Sequence, residues 1–227
     1  MRLLVDRSER RRSEKEARNV LMARASSDIL IQIDADVVMA RGSLSHLLRC
    51  LTEPPTPLVA VGIAGPDPQF RGRKHRAGAW QLKATRRYAS WLPDDAVRAE
   101  GACWGAWRSF YGEYRFPLGS DSPHADVCLA RHVATQGIPT RNCWRAVVHK
   151  VPPGTLNDFF LQTQRWYAAS GAGTRDLREL GAAALEAARD PFGAALYARA
   201  RIWSARQQRR RRTKWREDWE VTQSTKR

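Results

Sequence analysis

The segment that most constrains the fold runs from Asp28 to Asp34, with the sequence Asp-Ile-Leu-Ile-Gln-Ile-Asp. Its interior is almost continuously apolar and rich in β-branched side chains, which favour a pleated strand. A run of this kind is typical of a central strand that is buried on both faces of a mainly parallel sheet. Two carboxylates, Asp34 and Asp36, follow the apolar run. We therefore expect an α/β fold with acidic groups at the carboxyl end of a buried strand.

Predicted helices and strands alternate on both sides of this segment. The sequence predicts helices over residues 17–25, 43–51, 77–92, 123–135 and 155–169, and strands over residues 2–5, 58–64, 101–107 and 145–149. Ser43 is a candidate N-cap for the second helix, and Gly137 is a candidate C-terminal cap for the fourth. Alternation of this kind is characteristic of α/β domains, in which helices flank a central sheet.

Beyond Ser170 the composition changes to alanine and arginine, which predicts a core domain over residues 1–170 and a basic helical extension over residues 171–227. Asp190-Pro191 is a favourable helix start, with Asp as the cap and Pro at the first helical position. The helix that follows mixes apolar and cationic side chains, which favours an interfacial helix on an anionic membrane surface. A charged helix packed on the core and a nucleic-acid-binding patch are the alternatives.

Charge and cysteine usage narrow the class of protein. Lys and Arg outnumber Asp and Glu by 39 to 23, and the formal net charge of +16 favours anionic partners: a nucleotide, a nucleic acid or an acidic membrane. No stretch approaches the roughly 18 apolar residues of a membrane-spanning helix. Because the cysteines form no Cys-x-x-Cys pair, we expect free thiols in a cytoplasmic protein, soluble or peripheral at the inner face of the cell membrane. The cysteines are Cys50, Cys103, Cys128 and Cys143.

Asp34-Ala35-Asp36 is the first candidate for a chemical role. On a strand, residues i and i+2 point to the same side, so the two carboxylates can converge on one point. Ligands of open α/β sheets bind beyond the carboxyl ends of strands. Carboxylate oxygens there suit Mg²⁺ or Mn²⁺, which would in turn hold a diphosphate. Taken alone, a motif this short is more often a solvated turn after a strand.

Three other residues leave their roles open. Trp104 and Trp107 lie on a predicted strand, where they can be platforms for a sugar or members of the apolar core. His149 ends another predicted strand, where it can reach a metal at Asp36 or serve as a structural histidine, and the structural role is favoured.

Four elements around the Asp-x-Asp motif occur in a recognisable order over residues 1–166. They are Ala17-Arg18-Asn19, Gly101-Ala-Cys-Trp-Gly-Ala-Trp-Arg108, His124-Ala-Asp126-Val-Cys-Leu129 and Gln162-Thr-Gln-Arg165-Trp166. Together with Asp34-Ala-Asp36, they resemble the nucleotide-sugar domain of the family-2 glycosyltransferases. That family has an Ala-x-Asn helix, an Asp-x-Asp strand, a glycine-rich acceptor strand, a Glu-Asp-x-x-Leu element and, in synthase-like members, Gln-x-x-Arg-Trp.

This resemblance implies a GT-A sheet flanked by helices and a specific chemistry. A sugar would pass from a nucleotide-diphosphate donor to a saccharide or lipid-linked acceptor with inversion. Asp126 would be the catalytic base, and Asp36, with Asp34 nearby, would bind Mg²⁺ or Mn²⁺. Gln162, Arg165 and Trp166 share one helical face and, like Asp34, would contact the donor or acceptor. Taken alone, Trp166 is more often a half-buried core residue.

The sequence departs from the family pattern in two places. Ala125 stands where the family has an acidic residue before the base. Family members also have a strand, a helix and a second strand ahead of the part that matches here. Residues 2–5 best match the third strand, so the resemblance implies a domain that lacks its first strands. The strand over residues 28–34 would then have one unpaired edge.

Two rival functions follow from these features. The first is a catalytically inactive, truncated remnant of such an enzyme, because an incomplete nucleotide pocket would not bind the donor. The second is a basic nucleic-acid-binding protein, suggested by the net charge and by the run Arg209–Arg212. Nucleic acid is the less favoured partner, because it does not account for the ordered motifs.

Overall fold

The computed structural model describes residues 13–70, 72–98, 101–118, 124–162 and 177–210. The helices are α1 (Glu14–Arg24), α2 (Ser43–Thr52), α3 (Arg76–Trp91), α4 (Arg108–Tyr111), α5 (Ala125–Thr135), α6 (156–162), α7 (Leu177–Arg189) and α8 (Pro191–Arg210). The strands are β1 (Ile29–Ile33), β2 (Val37–Met39), β3 (Val59–Pro66), β4 (Cys103–Trp107) and β5 (Thr140–Lys150). A 3₁₀ turn, Arg73–His75, leads into α3.

The five described strands form one sheet in the order β1-β4-β3-β5-β2, and helices flank it. The predicted α/β architecture is therefore confirmed, and it is compatible with a GT-A fold. The expectation of a mainly parallel sheet is wrong. Among the described strands only the β3–β5 pair is parallel, whereas β1–β4, β3–β4 and β2–β5 are antiparallel. Strand direction depends on which strands become neighbours, and a local apolar pattern does not carry that information.

The β1 strand differs from its predicted environment. It packs apolar side chains on both faces of the sheet, with Leu30 against one core cluster and Ile29 and Ile31 against another. It is nevertheless only partly buried, and within the described residues it pairs with β4 alone. The strand that is buried along most of its length is β3, which lies between β4 and β5. The strand predicted over residues 2–5 lies outside the described residues, so the lack of the first strands stays a prediction.

Helix caps test the local predictions. Gly137 follows α5 with a positive φ of 60°, and Asp190 accepts a hydrogen bond from the Gly193 amide at 2.8 Å at the start of α8. Both predicted caps are confirmed. Ser43 is not a cap, because Gly42 occupies that position. Its hydroxyl instead accepts a hydrogen bond from the Val147 amide at 2.9 Å, which joins α2 to β5.

The C-terminal helices α7 and α8 pack against α3. Glu186 on α7 accepts a hydrogen bond from Arg87 at 2.6 Å, and the ring of Tyr197 on α8 lies 4.7 Å from that of Trp80. The inner face of α8 thus corresponds to the alternative of a helix packed on the core. The predicted domain boundary near residue 170 lies outside the described residues. Within those residues, no helix combines the length and apolar character needed to cross a membrane.

The cysteine prediction is wrong for one pair. Cys50 on α2 and Cys143 on β5 form a disulfide, with their Cα atoms 6.2 Å apart and 93 positions between them in the chain. Packing of α2 over β5 brings them together, which spacing alone does not reveal. Cys103 and Cys128 are buried free thiols, as expected.

Candidate active site

The two carboxylates of the Asp-x-Asp motif lie where several strands end. The Asp34 amide donates a hydrogen bond to the Ala102 carbonyl at 3.1 Å, just before β4 begins. On the other side, Val37 is paired with Lys150, the last residue of β5, which is also paired with Pro66 at the end of β3. We call this end of the sheet the Asp34 edge. It collects residues from five strands, which is the placement expected of a ligand site in an α/β fold.

Asp34 is held by a buried arginine. Nη2 of Arg18 lies 3.0 Å from Oδ1 of Asp34, and the same guanidinium pairs with Glu14 one turn earlier on α1. The Arg18 side chain is only 8% exposed. Burial raises the pKa of Asp34 to about 6, against the opposing effect of the positive charges of Arg18 and Lys150. The carboxylate is therefore fixed in orientation and largely ionised at neutral pH.

Asp36 is the more accessible of the two carboxylates. Its side chain is 37% exposed, and its Oδ2 lies 3.8 Å from Nζ of Lys150. The negative charge of Asp36 also contributes to the raised pKa of Asp34, so the two carboxylates interact electrostatically. Asp36 is thus more open to solvent than Asp34, whose side chain is 27% exposed.

These carboxylates fit a divalent cation of the Mg²⁺ type. Within the described residues, no three His, Cys, Asp or Glu side chains cluster into a closed metal cage. Mg²⁺ does not require one, because it is usually held by one or two carboxylates together with substrate phosphates and water. Two hard oxygen ligands at an accessible strand end match that requirement. Their role as metal ligands stays a prediction.

Asp126 lies at the same end of β4. It is the second residue of α5, and its Oδ1 accepts a hydrogen bond from the Val127 amide at 2.9 Å. Its side chain packs on Gly101, where an added Cβ would lie 3.2 Å from Cβ of Asp126. Gly101 precedes Ala102, the hydrogen-bond partner of Asp34, so one short backbone segment connects the candidate base to the Asp-x-Asp motif. The helix N-terminus also accounts for a carboxylate here, and the catalytic role stays a prediction.

The Ala17-Arg18-Asn19 element contacts both Asp34 and the segment that follows α4. The Asn19 side chain makes two hydrogen bonds of 2.8 Å with the backbone of Phe116, one as donor and one as acceptor. The Arg18 guanidinium lies 5.8 Å from the centre of the Phe116 ring. The motif thus orients Asp34 and fixes the segment after α4. The sequence provided the motif through the family resemblance, but not these contacts.

The tryptophans of β4 serve the core, whereas Arg108, the first residue of α4, is exposed. Trp104 is fully buried, and its ring packs edge-on against Phe116. Nε1 of Trp107 donates a hydrogen bond to the Leu51 carbonyl at 3.0 Å. Arg108 lies at the opposite end of β4 from Gly101 and donates to the Ser26 carbonyl. The core alternative for both tryptophans is therefore the one that the contacts support.

Of the remaining predicted site residues, His149 lies at the Asp34 edge only through its backbone, and no described contact brings Gln162 there. Gln162 is half-buried at the end of the described part of α6, and Arg165 and Trp166 lie outside the described residues. The backbone of His149 pairs with Val38 and Gly65, and its buried Nδ1 has no hydrogen-bond partner within the described residues. Because strand neighbours face opposite sides, His149 points away from the face on which Lys150 reaches Asp36.

Lys150 is the residue at this edge that sequence reasoning missed. It ends β5 immediately after His149, and nothing in its local sequence distinguishes it from the other lysines and arginines of this basic chain. Its position becomes informative only because β2 pairs with the end of β5 and places it beside Asp36.

Comparison with known families matches residues 1–115 to the family model described as glycosyl transferase family 2. The matched region contains α1, the Asp-x-Asp motif and β4. The chain belongs to this glycosyltransferase family. Enzymes of the family transfer a sugar from a nucleotide-sugar donor to an acceptor and commonly use a divalent cation. A search of curated proteins found no match.

Proposed function

We propose that this chain transfers a sugar from a nucleotide-diphosphate donor to a saccharide or lipid-linked acceptor, with inversion at the anomeric carbon. The observation that carries the proposal is the contact path across the start of β4. Asp34 bonds to Ala102, and Asp126 packs on the preceding glycine, Gly101. Carboxylates from two separate elements therefore share one end of the sheet. This is the arrangement that donor activation and proton removal both require.

In the proposed reaction, Asp126 takes the proton of the acceptor hydroxyl while that oxygen attacks the anomeric carbon. The bond between the anomeric carbon and the diphosphate oxygen breaks, and its electron pair leaves with the nucleoside diphosphate. Attack from the face opposite the leaving group gives inversion. The family's divalent cation, held by Asp36 with Asp34 nearby, would neutralise charge that develops on the diphosphate.

Arg18 and Asp34 have a positioning role in this proposal. Because Arg18 is buried and holds Asp34 in one orientation, the donor side of the site is preformed and loses little entropy on binding. Gln162, Arg165 and Trp166 are proposed to complete the donor and acceptor contacts, on the basis of the family motif alone. Arginine suits a phosphate, and tryptophan suits a sugar face.

The experiment that tests the proposal separates donor binding from turnover. Purified protein is titrated with a panel of nucleotide sugars in the presence and absence of Mn²⁺, and donor consumption is then followed with candidate acceptors. Asp36→Asn should abolish Mn²⁺-dependent donor binding. Asp126→Asn should retain donor binding and lose turnover by about 10³-fold or more, since a base acts only in the chemical step.

Asp95→Asn is the matched control, because Asp95 is exposed in the turn after α3, away from the Asp34 edge. It should change neither quantity. Donor binding without any turnover in wild-type protein would favour the inactive remnant. Salt-dependent binding to DNA or RNA, with no response to nucleotide sugars, would favour the nucleic-acid-binding alternative.

A further inference from the structure

The two carboxylates of the Asp34 edge pair with two different basic side chains, an arginine and a lysine. Asp34 pairs with Arg18, whose side chain is 8% exposed and whose Nη2 also pairs with Glu14. Asp36 pairs with Lys150, whose side chain is 25% exposed. In the first pair the arginine is buried and is shared by two carboxylates. The second is a looser contact at 3.8 Å between partly solvated groups.

Lysine and arginine differ in how they can respond to an incoming ligand. The arginine guanidinium is planar and fixes the geometry of its hydrogen-bond partner. The lysine ammonium is a compact charge at the end of a flexible four-carbon chain. Lys150 can therefore leave Asp36 by rotating its side chain, with no change in the β5 backbone. Arg18 cannot do so without leaving both Asp34 and Glu14 without their shared cationic partner.

Nζ of Lys150 lies 3.8 Å from Oδ2 of Asp36, the carboxylate proposed to bind the divalent cation. A cation bound there would be repelled by the ammonium, and movement of Lys150 away from Asp36 would relieve that repulsion. A phosphate group arriving with the cation gives the displaced ammonium a new anionic partner at the same edge. Lys150 thus lowers the affinity of the site for the divalent cation alone, and it raises that affinity when a phosphate group binds as well.

We propose that Lys150 is a positioning residue that couples the binding of the divalent cation to the binding of the donor's diphosphate. In the ligand-free site it pairs with Asp36 and lowers the affinity for a free divalent cation. In the loaded site it pairs with the diphosphate. This inference rests on the proposed function, because it assigns the donor's diphosphate to the Asp34 edge. It predicts positive coupling between the two ligands, and by linkage each must tighten the other equally.

The test uses Mn²⁺ alone, inorganic diphosphate alone and both together, measured by calorimetry and by the electron paramagnetic resonance signal of free Mn²⁺. Lys150→Met should tighten Mn²⁺ binding in the absence of diphosphate by about 5-fold to 10-fold, because an opposing charge is removed. The same variant should bind diphosphate more weakly. The factor by which each ligand raises the affinity for the other should fall toward one. Lys150→Arg should retain part of the coupling, since the charge is kept on a stiffer side chain.

Lys83→Met is the matched control, because Lys83 is exposed on α3 and should leave all three measurements unchanged. Thermal unfolding of each variant checks that the fold is retained. Unchanged Mn²⁺ affinity in Lys150→Met, or equal weakening of both ligands, would overturn the proposal. Asp36→Asn distinguishes this failure from failure of the proposed function. If Asp36→Asn binds Mn²⁺ as wild type does, the metal assignment itself is wrong.

Discussion

Asp126 and Gly101 are in direct contact across the start of β4. A Cβ added at Gly101 would lie 3.2 Å from Cβ of Asp126 and 3.7 Å from Oδ2. Gly101 therefore sets how closely the candidate base approaches the backbone segment that also holds Asp34. The sequence places a glycine at this position, and the structure gives the physical reason, which is close approach rather than an unusual backbone angle.

Gly101→Ala is expected to displace Asp126 by a few tenths of an ångström. Because a base acts only in the chemical step, kcat should fall by about 10-fold while the donor KM changes little. Steady-state kinetics with a saturating acceptor measures both quantities. Gly72→Ala is the matched control, since nothing lies within 4 Å of a Cβ added there. Equal loss of kcat in the two variants would contradict the role of this contact.

Arg18→Met should destabilise the protein and weaken donor binding. The substitution leaves Asp34 and Glu14 without their shared cation, which should cost about 3 kcal/mol, at the low end for a broken buried pair because Asp34 is 27% exposed. Urea denaturation measures the loss. Arg49→Met removes an exposed helical pair with Glu53 and should cost less than about 0.5 kcal/mol. Similar losses in the two variants would argue against Arg18 as the support of Asp34.

The ion pair between Asp190 and Arg76 should make the docking of α8 on α3 sensitive to acid. A hydrogen bond from Arg76 lowers the pKa of Asp190 below its ordinary value of 3.8. The stabilisation is therefore present above that value and is lost as the pH falls through the lower pKa of the folded state. Hydrogen exchange of α8 in wild type and Asp190→Asn measures this. Their difference should be present at pH 7 and vanish in stronger acid, whereas a constant difference would contradict it.

The disulfide between Cys50 and Cys143 should be detectable by counting thiols. Unfolded protein without reductant should expose two reactive thiols, from Cys103 and Cys128, and four after reduction. Reduction should lower the free energy of unfolding by about 2–4 kcal/mol, because a long loop in the unfolded chain is released. A double Cys50→Ser, Cys143→Ser variant should not respond to reductant. Four reactive thiols in the unreduced, purified protein would show that the pair is not bonded.

Helix α8 is predicted to bind anionic membranes peripherally. Its outer face presents Ile202, which is 55% exposed, next to exposed cations such as Arg206. An Ile202→Ser, Arg206→Gln variant should bind acidic liposomes more weakly in sedimentation, and wild-type binding should fall with rising salt. Val97→Ser, an exposed apolar side chain in the loop before β4, is the control. Equal wild-type binding to neutral liposomes would contradict the electrostatic part of this prediction.

Local features of the sequence were sufficient to predict several elements. The apolar run predicted β1 within one residue at each end, and Ser43 together with the prolines from Pro54 onward predicted α2 nearly to its bounds, although Gly42 and not Ser43 is the cap. Asp190 and Gly137 were recognised as caps because a cap depends on residues within one helical turn. The family motifs also predicted Asp34, Asp36 and Asp126 as candidate site residues, and their roles stay predictions.

The sequence by itself determined most of the described helices and strands, though not β2 or α4, and it determined which short motifs carry carboxylates, since these depend on neighbours within a few residues. Only the tertiary structure decided the direction of the strands, the partly exposed position of β1 and the Cys50–Cys143 bond. It also decided that Arg18 holds Asp34 and that Lys150 lies beside Asp36. These contacts join residues that lie from 16 positions apart, as Arg18 and Asp34 do, to 114 positions apart, as Lys150 and Asp36 do. Hydrophobic periodicity indicates which face of an element is buried, but it does not indicate which distant residue packs against that face.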